Sequence, residues 1–204
     1  MALIDNSYFI LEMNVPNTDN TNPALNGSTN ELSKFIEKYE SKYLSEVLGY
    51  EMYKDFLANI QLQKYKDLLD GVEFTDSLGR LNKWCGFANS EKLSPIANYV
   101  YVKLLSHRVS SLAGIGLVST NAENSVRVDP SYLMTMVHNE MVELNIVLHN
   151  YLITRPTDYR YYTGLSFPPI DLLGLNGLGY SNMLMSNINI GNKDFFTFRN
   201  RLGI

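Results

Sequence analysis

The 204-residue chain has one cysteine, Cys85, so it cannot form an internal disulfide. Trp84 and Phe87 beside it are apolar, the setting of a buried, inert thiol. Histidines are equally scarce. His138 and His149 lie eleven apart, three turns along one helix, and His107 is remote in sequence from both. With no HExxH and a single cysteine, no zinc set can be assembled from familiar spacings. GxxxxGK[ST] is missing, and the glycines at 114 and 116 lack the third that a GxGxxG loop needs, because position 119 is Ser. No GxSxG surrounds any serine. Glu140 and Glu143 are three apart and could pair as carboxylates, but a solvated or interface edge is the commoner use. These absences point away from an enzyme, and they name no catalytic residue, metal ligand or cofactor.

Charge is also sparse. Charged residues make up 19% of the chain, below the usual quarter, and the formal net charge is −4. There is no overall basic footprint for nucleic acid. Residues 1–27 carry three acids and no Lys or Arg, while residues 154–204 carry five bases and three acids. No run reaches the roughly 18 apolar residues that a membrane span requires. Met1 to Met13 lacks a basic stretch and contains Asp5 and Glu12, so it does not read as a signal peptide. The expectation is a soluble protein that is intracellular or is assembled inside a cell. In place of charge there are 14 tyrosines and many asparagines, a balance that suits surfaces covered by partners as well as it suits an ordinary polar surface.

Helical periodicity dominates what is present. Ser94 and Pro95 read as cap and first position of a helix running to Leu112, with Ile96, Val100, Leu104 and Leu105 on one stripe and Ala97, Tyr101 and Val109 widening it. A helix this apolar is expected at the centre of the domain, with Tyr99 and Tyr101 marking opposite sides. Ser28 to Glu31 fits a capping box ahead of a helix ending at Gly49, whose inner face holds Leu32, Phe35, Ile36, Tyr39, Tyr43, Val47 and Leu48 and whose other face holds most of Glu37, Lys38, Glu40, Lys42 and Glu46. Shorter helices are expected at Glu51 to Ile60, with Tyr53, Phe56, Leu57 and Ile60 inward, and at Gln63 to Asp70. Residues 72–85 alternate around the turn Ser77-Leu78-Gly79-Arg80 and read as a β-hairpin with Trp84 as its anchor. Ala113 to Val118 reads as a break between helices. Asp129-Pro130 then opens a last long helix to about Ile153, which should pair with the central one, antiparallel by preference.

The fold class is therefore all-α: a small bundle of four to five helices with a hairpin insertion and an extended C-terminal arm. Its expected divisions are an N-terminal arm or loop at 1–27, a helical domain at 28–153 and the arm at 154–204. Trp84, Ile96, Val100, Leu104 and Met141 are the expected core. The arm combines Pro and Gly with recurring aromatics, is too apolar for a plain linker, and is expected to pack on its own domain or on a neighbouring subunit. Tyr159, Tyr161, Tyr162, Phe167, Phe195, Phe196 and Phe198 are its candidate contacts to a neighbouring subunit or partner. Tyr159-Arg160-Tyr161-Tyr162 alone has the basic–aromatic look of a single-strand binder, and an anchor for the tail is the preferred reading.

Several pieces, taken in order, resemble a known family. They are Phe35 to Glu40 with Tyr43-Leu44 and Leu48-Gly49, Asp76 to Gly79, Trp84-Cys85-Gly86, Ser94 to Tyr101, Asn121-Ala122, Asn139-Glu140-Met141 and the closing Asn200 to Ile204. Their order is similar to that of the head–tail connector proteins, the neck or adaptor rings, of tailed bacteriophages and prophages of Bacteroides-type hosts, crAss-like phages included. The resemblance spans roughly residues 28–150 and the extreme C-terminus and leaves 154–194 unmatched. It implies an all-α protomer and a homo-oligomeric ring of about twelve copies closed by heterologous contacts. It further implies binding to a portal protein above and to tail, stopper or neck proteins below, at the head–tail junction of a virion assembled in the host cytoplasm. Genomic DNA would pass through the lumen without specific binding, which mild acidity suits. It implies no catalytic residue and no cofactor. A phage DNA-packaging accessory or a small nucleic-acid-binding regulator is the alternative expectation.

Overall fold

Every residue from Ser94 to Val102 is buried, so the segment expected at the centre is covered all round its helix. The computed structural model describes residues 2–15, 27–109, 111–113, 116–118 and 131–162, with backbone alone at 27–30, 109, 111–113, 116–118 and 131. Five α-helices appear among these residues: α1 (Gly27–Leu48), α2 (Tyr50–Ala58), α3 (Gln63–Asp70), α4 (Pro95–Val109) and α5 (Ser131–Ile153). The hairpin β1 (Val72–Thr75) and β2 (Leu81–Trp84) lies between α3 and α4. A bundle with a hairpin insertion is thus the architecture of the described residues. The expected arm beyond Tyr162 lies outside them.

Helix α4 is flanked by α1 and α5. Along α1, Glu31 meets Arg108 at 2.9 Å, Phe35 meets the His107 ring at 5.3 Å, and Tyr39 and Tyr43 meet Tyr99, so α1 and α4 run antiparallel. Glu31 was expected to close a capping box with Ser28. Instead the helix already includes Ser28, and the Glu31 carboxylate lies against Arg108, where a paired charge is held more strongly than at a solvated helix end. Likewise the Ser94 hydroxyl donates to the Phe87 carbonyl at 2.6 Å, tying the start of α4 to the segment before it. In α2 the buried stripe is Met52 and Phe56. Leu57, expected inward, is half exposed because it falls one helical step off that stripe.

The hairpin pairs Val72 with Trp84 and Phe74 with Asn82. Period two sends Phe74 and Trp84 to the buried face. Phe74 packs on Tyr151 of α5 at 5.2 Å, and Trp84, fully buried, stacks edge-on to Phe87 at 5.2 Å. At the far end Asp76 organises the turn. It accepts from the Leu78 and Arg80 backbone N–H groups, both at 2.9 Å, and from Arg80 Nε at 2.8 Å.

Three expectations change. The central helix stops at Val109, and Leu112 lies in a second hairpin, β3 (Ser111–Ala113) with β4 (Gly116–Val118), where a break between helices was expected. The two strands pair antiparallel, Ser111 with Val118, Leu112 with Leu117 and Ala113 with Gly116. Residues 2–15 make two 3-10 turns, Asn6–Tyr8 and Leu11–Met13, and bury Ile4, Tyr8, Phe9, Met13 and Val15 in the domain core. Residues 154–162, assigned to the arm, continue from α5 in turns and return to the domain through buried Tyr159.

Two glycines are required where α3 meets the hairpin exit. Gly71 and Gly86 both have positive φ, +95° and +97°. A Cβ on Gly86 would sit 2.3 Å from the Leu69 carbonyl oxygen, and one on Gly71 would sit 2.5 Å from that of Cys85. Gly86→Ala should therefore lower unfolding free energy by about 3 kcal/mol, from strain plus backbone overlap. Gly79→Ala, at φ +77° in open space, should cost visibly less, about 1 kcal/mol. Urea titration of both variants measures the difference, and equal losses would contradict the close approach.

Candidate functional site

Several of the groups able to carry chemistry hold chain segments together. Glu140 accepts from Asn98 Nδ2 at 2.8 Å, and the same amide donates to the Val137 carbonyl at 3.1 Å, so Glu140 braces α4 against α5 instead of facing Glu143. The Cys85 thiol is partly buried and is pushed up to about 11 by burial, which keeps it protonated at neutral pH. His107 stands 3.5 Å from Glu31, His138 is buried in α5, and His149 faces Tyr162. Among the described residues no three His, Cys, Asp or Glu side chains gather where they could hold a metal ion, and no helix is long and apolar enough to cross a membrane.

Two tyrosine-centred clusters fix the ends of the chain to the bundle. At the C-terminal side, Tyr159 donates to the Lys64 carbonyl at 2.6 Å, and Tyr151 lies 3.0 Å from the Tyr159 hydroxyl. Because Tyr159 has one proton and gives it to Lys64, Tyr151 is the donor between the two. Arg155 reaches Asp67 at 4.0 Å, and Lys64 Nζ donates to the Asp158 carbonyl at 3.0 Å, so residues 155–159 are pinned along α3. Tyr65 lies edge-on to Phe56 at 5.5 Å and donates to Asp55. Burial raises Tyr65, Tyr151 and Tyr159 above the ordinary phenol range, so all three are neutral hydroxyls in the folded state.

At the N-terminal side the anchor is Glu40. Its carboxylate accepts from the Leu3 N–H at 2.9 and 3.0 Å and from the Ile4 N–H at 3.2 Å. The charges of α1 were expected mostly on its other face, yet Glu40 is buried. It stands one turn after Ile36, on the inner stripe, and the two N–H groups supply the partners that a buried carboxylate needs. Tyr8 completes the attachment by donating to the Asn89 carbonyl at 3.0 Å.

The expected core residues Trp84, Ile96, Val100, Leu104 and Met141 are all buried, as are Tyr99 and Tyr101. The expected arm contacts divide. Tyr159 is not a surface contact: it is 2% exposed within its own domain, drawn in by the Lys64 carbonyl and the Tyr151 hydroxyl. Tyr162 is half-buried with its hydroxyl 2.8 Å from His149 Nδ1. Tyr161 is exposed, with the Arg160 guanidinium 4.7 Å above its ring. Only this one pair retains the basic–aromatic character of the Tyr159–Tyr162 run. Phe167, Phe195, Phe196 and Phe198 lie outside the described residues.

Compared with known protein families, curated proteins and solved structures, the chain matches none. Its own residues are therefore the ground for a functional reading. Among those described, they make anchors and packing surfaces.

Two buried hydroxyls give opposite expectations. Tyr159→Phe removes both hydrogen bonds and leaves buried partners behind, a loss of about 1–3 kcal/mol in urea unfolding. The Tyr99 hydroxyl is buried with no hydrogen-bond partner among the described residues, so Tyr99→Phe should be neutral or stabilising.

Glu40 gives a pH signature. Burial raises its carboxyl above the ordinary 4.5, outweighing the opposing hydrogen bonds from Leu3 and Ile4. Between 4.5 and the raised value the folded chain holds a proton that the unfolded chain has released. The Glu40 contribution is thus most favourable below 4.5 and declines as pH rises through the folded value. The stability advantage of the native protein over Glu40→Gln should narrow as pH is raised from the acid side towards neutrality. Paired unfolding curves check this, and a gap that widens with pH would contradict it.

Proposed function

We propose that the chain is a structural virion protein, a head–tail connector whose copies form a ring on a portal and link capsid to tail. The observation that carries this reading is the convergence of the pieces that resemble that family. Asn98, from the Ser94–Tyr101 piece, hydrogen-bonds Glu140, from the Asn139–Met141 piece. Tyr39 and Tyr43, from the first pieces, pack on Tyr99 of the same central segment. Phe87, directly after Trp84-Cys85-Gly86, receives the Ser94 hydroxyl. Pieces far apart in the chain meet around one helix, as a family's fold-defining residues do.

Two further features support the reading. The candidate chemical groups brace packing and leave the domain to act through its surfaces. Large apolar side chains stand exposed at the hairpin tip, Leu78 at 70% and Leu81 at 72%, on a turn held by Asp76. In an assembly such side chains are covered by a partner. On this reading the partners are further copies of the chain in a ring of about twelve closed by heterologous contacts, the portal, and tail, stopper or neck proteins. Genomic DNA passes through the lumen without specific binding, and the protein acts at the head–tail junction without enzymatic activity. Phe195, Phe196 and Phe198, well beyond Tyr162, are the arm residues that reach a neighbour or the portal.

Light scattering tests the reading with the protein alone and mixed with the portal protein encoded near it. The expected result is a complex whose mass fits a ring of copies on the portal. A protein that stays monomeric and never binds the portal overturns it, whereas sub-micromolar, salt-sensitive DNA binding would favour a packaging or regulatory role.

A further inference from the structure

The turn after α5 presents one basic–aromatic pair on a fixed base. The Tyr162 N–H donates to the Tyr159 carbonyl at 2.8 Å, which closes a tight turn with Arg160 and Tyr161 as its two central residues. Both ends of the turn are held, Tyr159 by the Lys64 carbonyl and Tyr162 by His149 Nδ1. Arg160 and Tyr161 themselves are exposed, with the guanidinium 4.7 Å above the ring and donating to its hydroxyl at 2.7 Å. Among the described residues no carboxylate pairs with Arg160. A guanidinium and a ring that are ordered in advance, with no carboxylate of their own, have the composition of an interface anchor.

A surface depression of about 350 Å³ lies between the N-terminal segment and α1. Ile4 and Ile36 give it a buried apolar lining, and Asp5, Ser7, Ser33 and Glu37 give it a polar one, with no Lys or Arg among the lining residues. Asp5 and Glu37 are exposed. Ser7 donates to Asp5 Oδ1 through both its hydroxyl and its N–H, which holds the carboxyl below its ordinary value, so Asp5 is charged at neutral pH. Lys92 acts on Asp5 from over the Tyr8 ring without forming an ion pair, and Glu37 has no ion pair among the described residues, its neighbour Lys34 included. Two carboxylates beside a partly apolar depression suit a guanidinium stacked on a ring. Each copy thus carries a cation without a carboxylate and two carboxylates without a cation. Within one molecule they stay unmatched, the turn fixed beside α3 and the depression on α1.

We propose that the Arg160–Tyr161 turn of one copy docks in the depression of a second copy, the guanidinium meeting Asp5 and Glu37 and the ring lying against the apolar lining. The contact joins two different surfaces, so it repeats from copy to copy and closes into a ring where the rotation permits. Naming another copy as the partner rests on the connector reading and identifies surfaces by which such copies join. Nucleic acid fits the turn less well. The neighbouring bases Lys64 and Arg155 are engaged with Asp158 and Asp67, and a single free guanidinium does not track a phosphate backbone.

Cross-linking of differently tagged full-length chains with a short bismaleimide tests it, in a Cys85→Ser background, with and without the portal protein. One chain carries Ser33→Cys, in the depression, and the other Thr157→Cys, an exposed position just before the pair. In the control, Leu57→Cys on α2 replaces Ser33→Cys. The expected result is cross-linking of the first pair at least several-fold faster than the control in one or both conditions. Arg160→Glu in the second chain should bring the rate down to that of the control, and Glu37→Arg added to the first chain should then restore part of it. A first pair no faster than the control in both conditions overturns the proposal, as does a fast pair that Arg160→Glu leaves unchanged. Tight, salt-sensitive binding of an oligothymidylate that Arg160→Glu abolishes overturns it too, because the turn then serves nucleic acid. Portal binding is scored separately. A portal complex without the cross-link removes this contact alone, and the cross-link without a portal complex removes the connector reading alone.

Discussion

The carbonyl of Leu68 is the point on which the fold turns. It accepts the Trp84 indole N–H at 3.0 Å and the Phe87 backbone N–H at 2.9 Å, so one oxygen at the end of α3 fixes both the last residue of the hairpin and the segment that leaves it. That double acceptance requires the backbones to approach closely, which Gly71 and Gly86 permit. From there order is relayed forward: Phe87 is held, its own carbonyl receives Ser94, and Ser94 stands at the start of α4. The helix at the centre of the core is thus positioned from its N-terminal end by a junction in α3 and the hairpin. A two-stranded hairpin is marginal alone, and this one is stable because Trp84 and Phe74 are embedded in the helices.

Tyrosine serves the domain as a reach from the core to polar acceptors. Tyr8 extends to Asn89, Tyr159 to Lys64, and Tyr43 to the Asn145 side chain. In each case an apolar ring fills volume and a hydroxyl at its tip reaches a polar group that would otherwise be stranded. The abundance of tyrosine therefore reflects interior construction to a large extent. Composition alone allowed a surface covered by partners as readily, because it does not distinguish a ring that packs inward from one that waits for a neighbour.

What was legible in the sequence follows from local periodicity. Helix α3 and the hairpin were readable to within a residue because Gly71 separates them and period two begins immediately after it. Helix α4 was readable from its apolar girth, and its core residues with it. The second hairpin was not, since three-residue strands carry too little alternation to register. Glu40 is buried although its charge argues for the outside: its position one turn from Ile36 puts it inside, and the Leu3 and Ile4 N–H groups explain why a carboxylate is tolerated there. For Tyr159 the sequence leaves its own domain and a neighbouring subunit both open. Its partners are on α3, and no local pattern announces a contact between segments so distant in the chain.

That distance has a consequence for how the domain is made. The Tyr159 to Lys64 hydrogen bond spans 95 residues, and the Lys64 to Asp158 contact spans 94. Contacts of such separation form after local ones, because loop closure costs entropy before packing returns anything. During synthesis, α3 and the hairpin leave the ribosome long before residue 159 exists, and at about 5–20 residues per second the interval lasts several seconds. Over that time the flank of α3 that Tyr159 will cover, Tyr65 included, stays open to solvent and to neighbouring nascent chains. Closing that flank completes the packing around α3, so a chain that has not yet extended past Tyr159 still presents it.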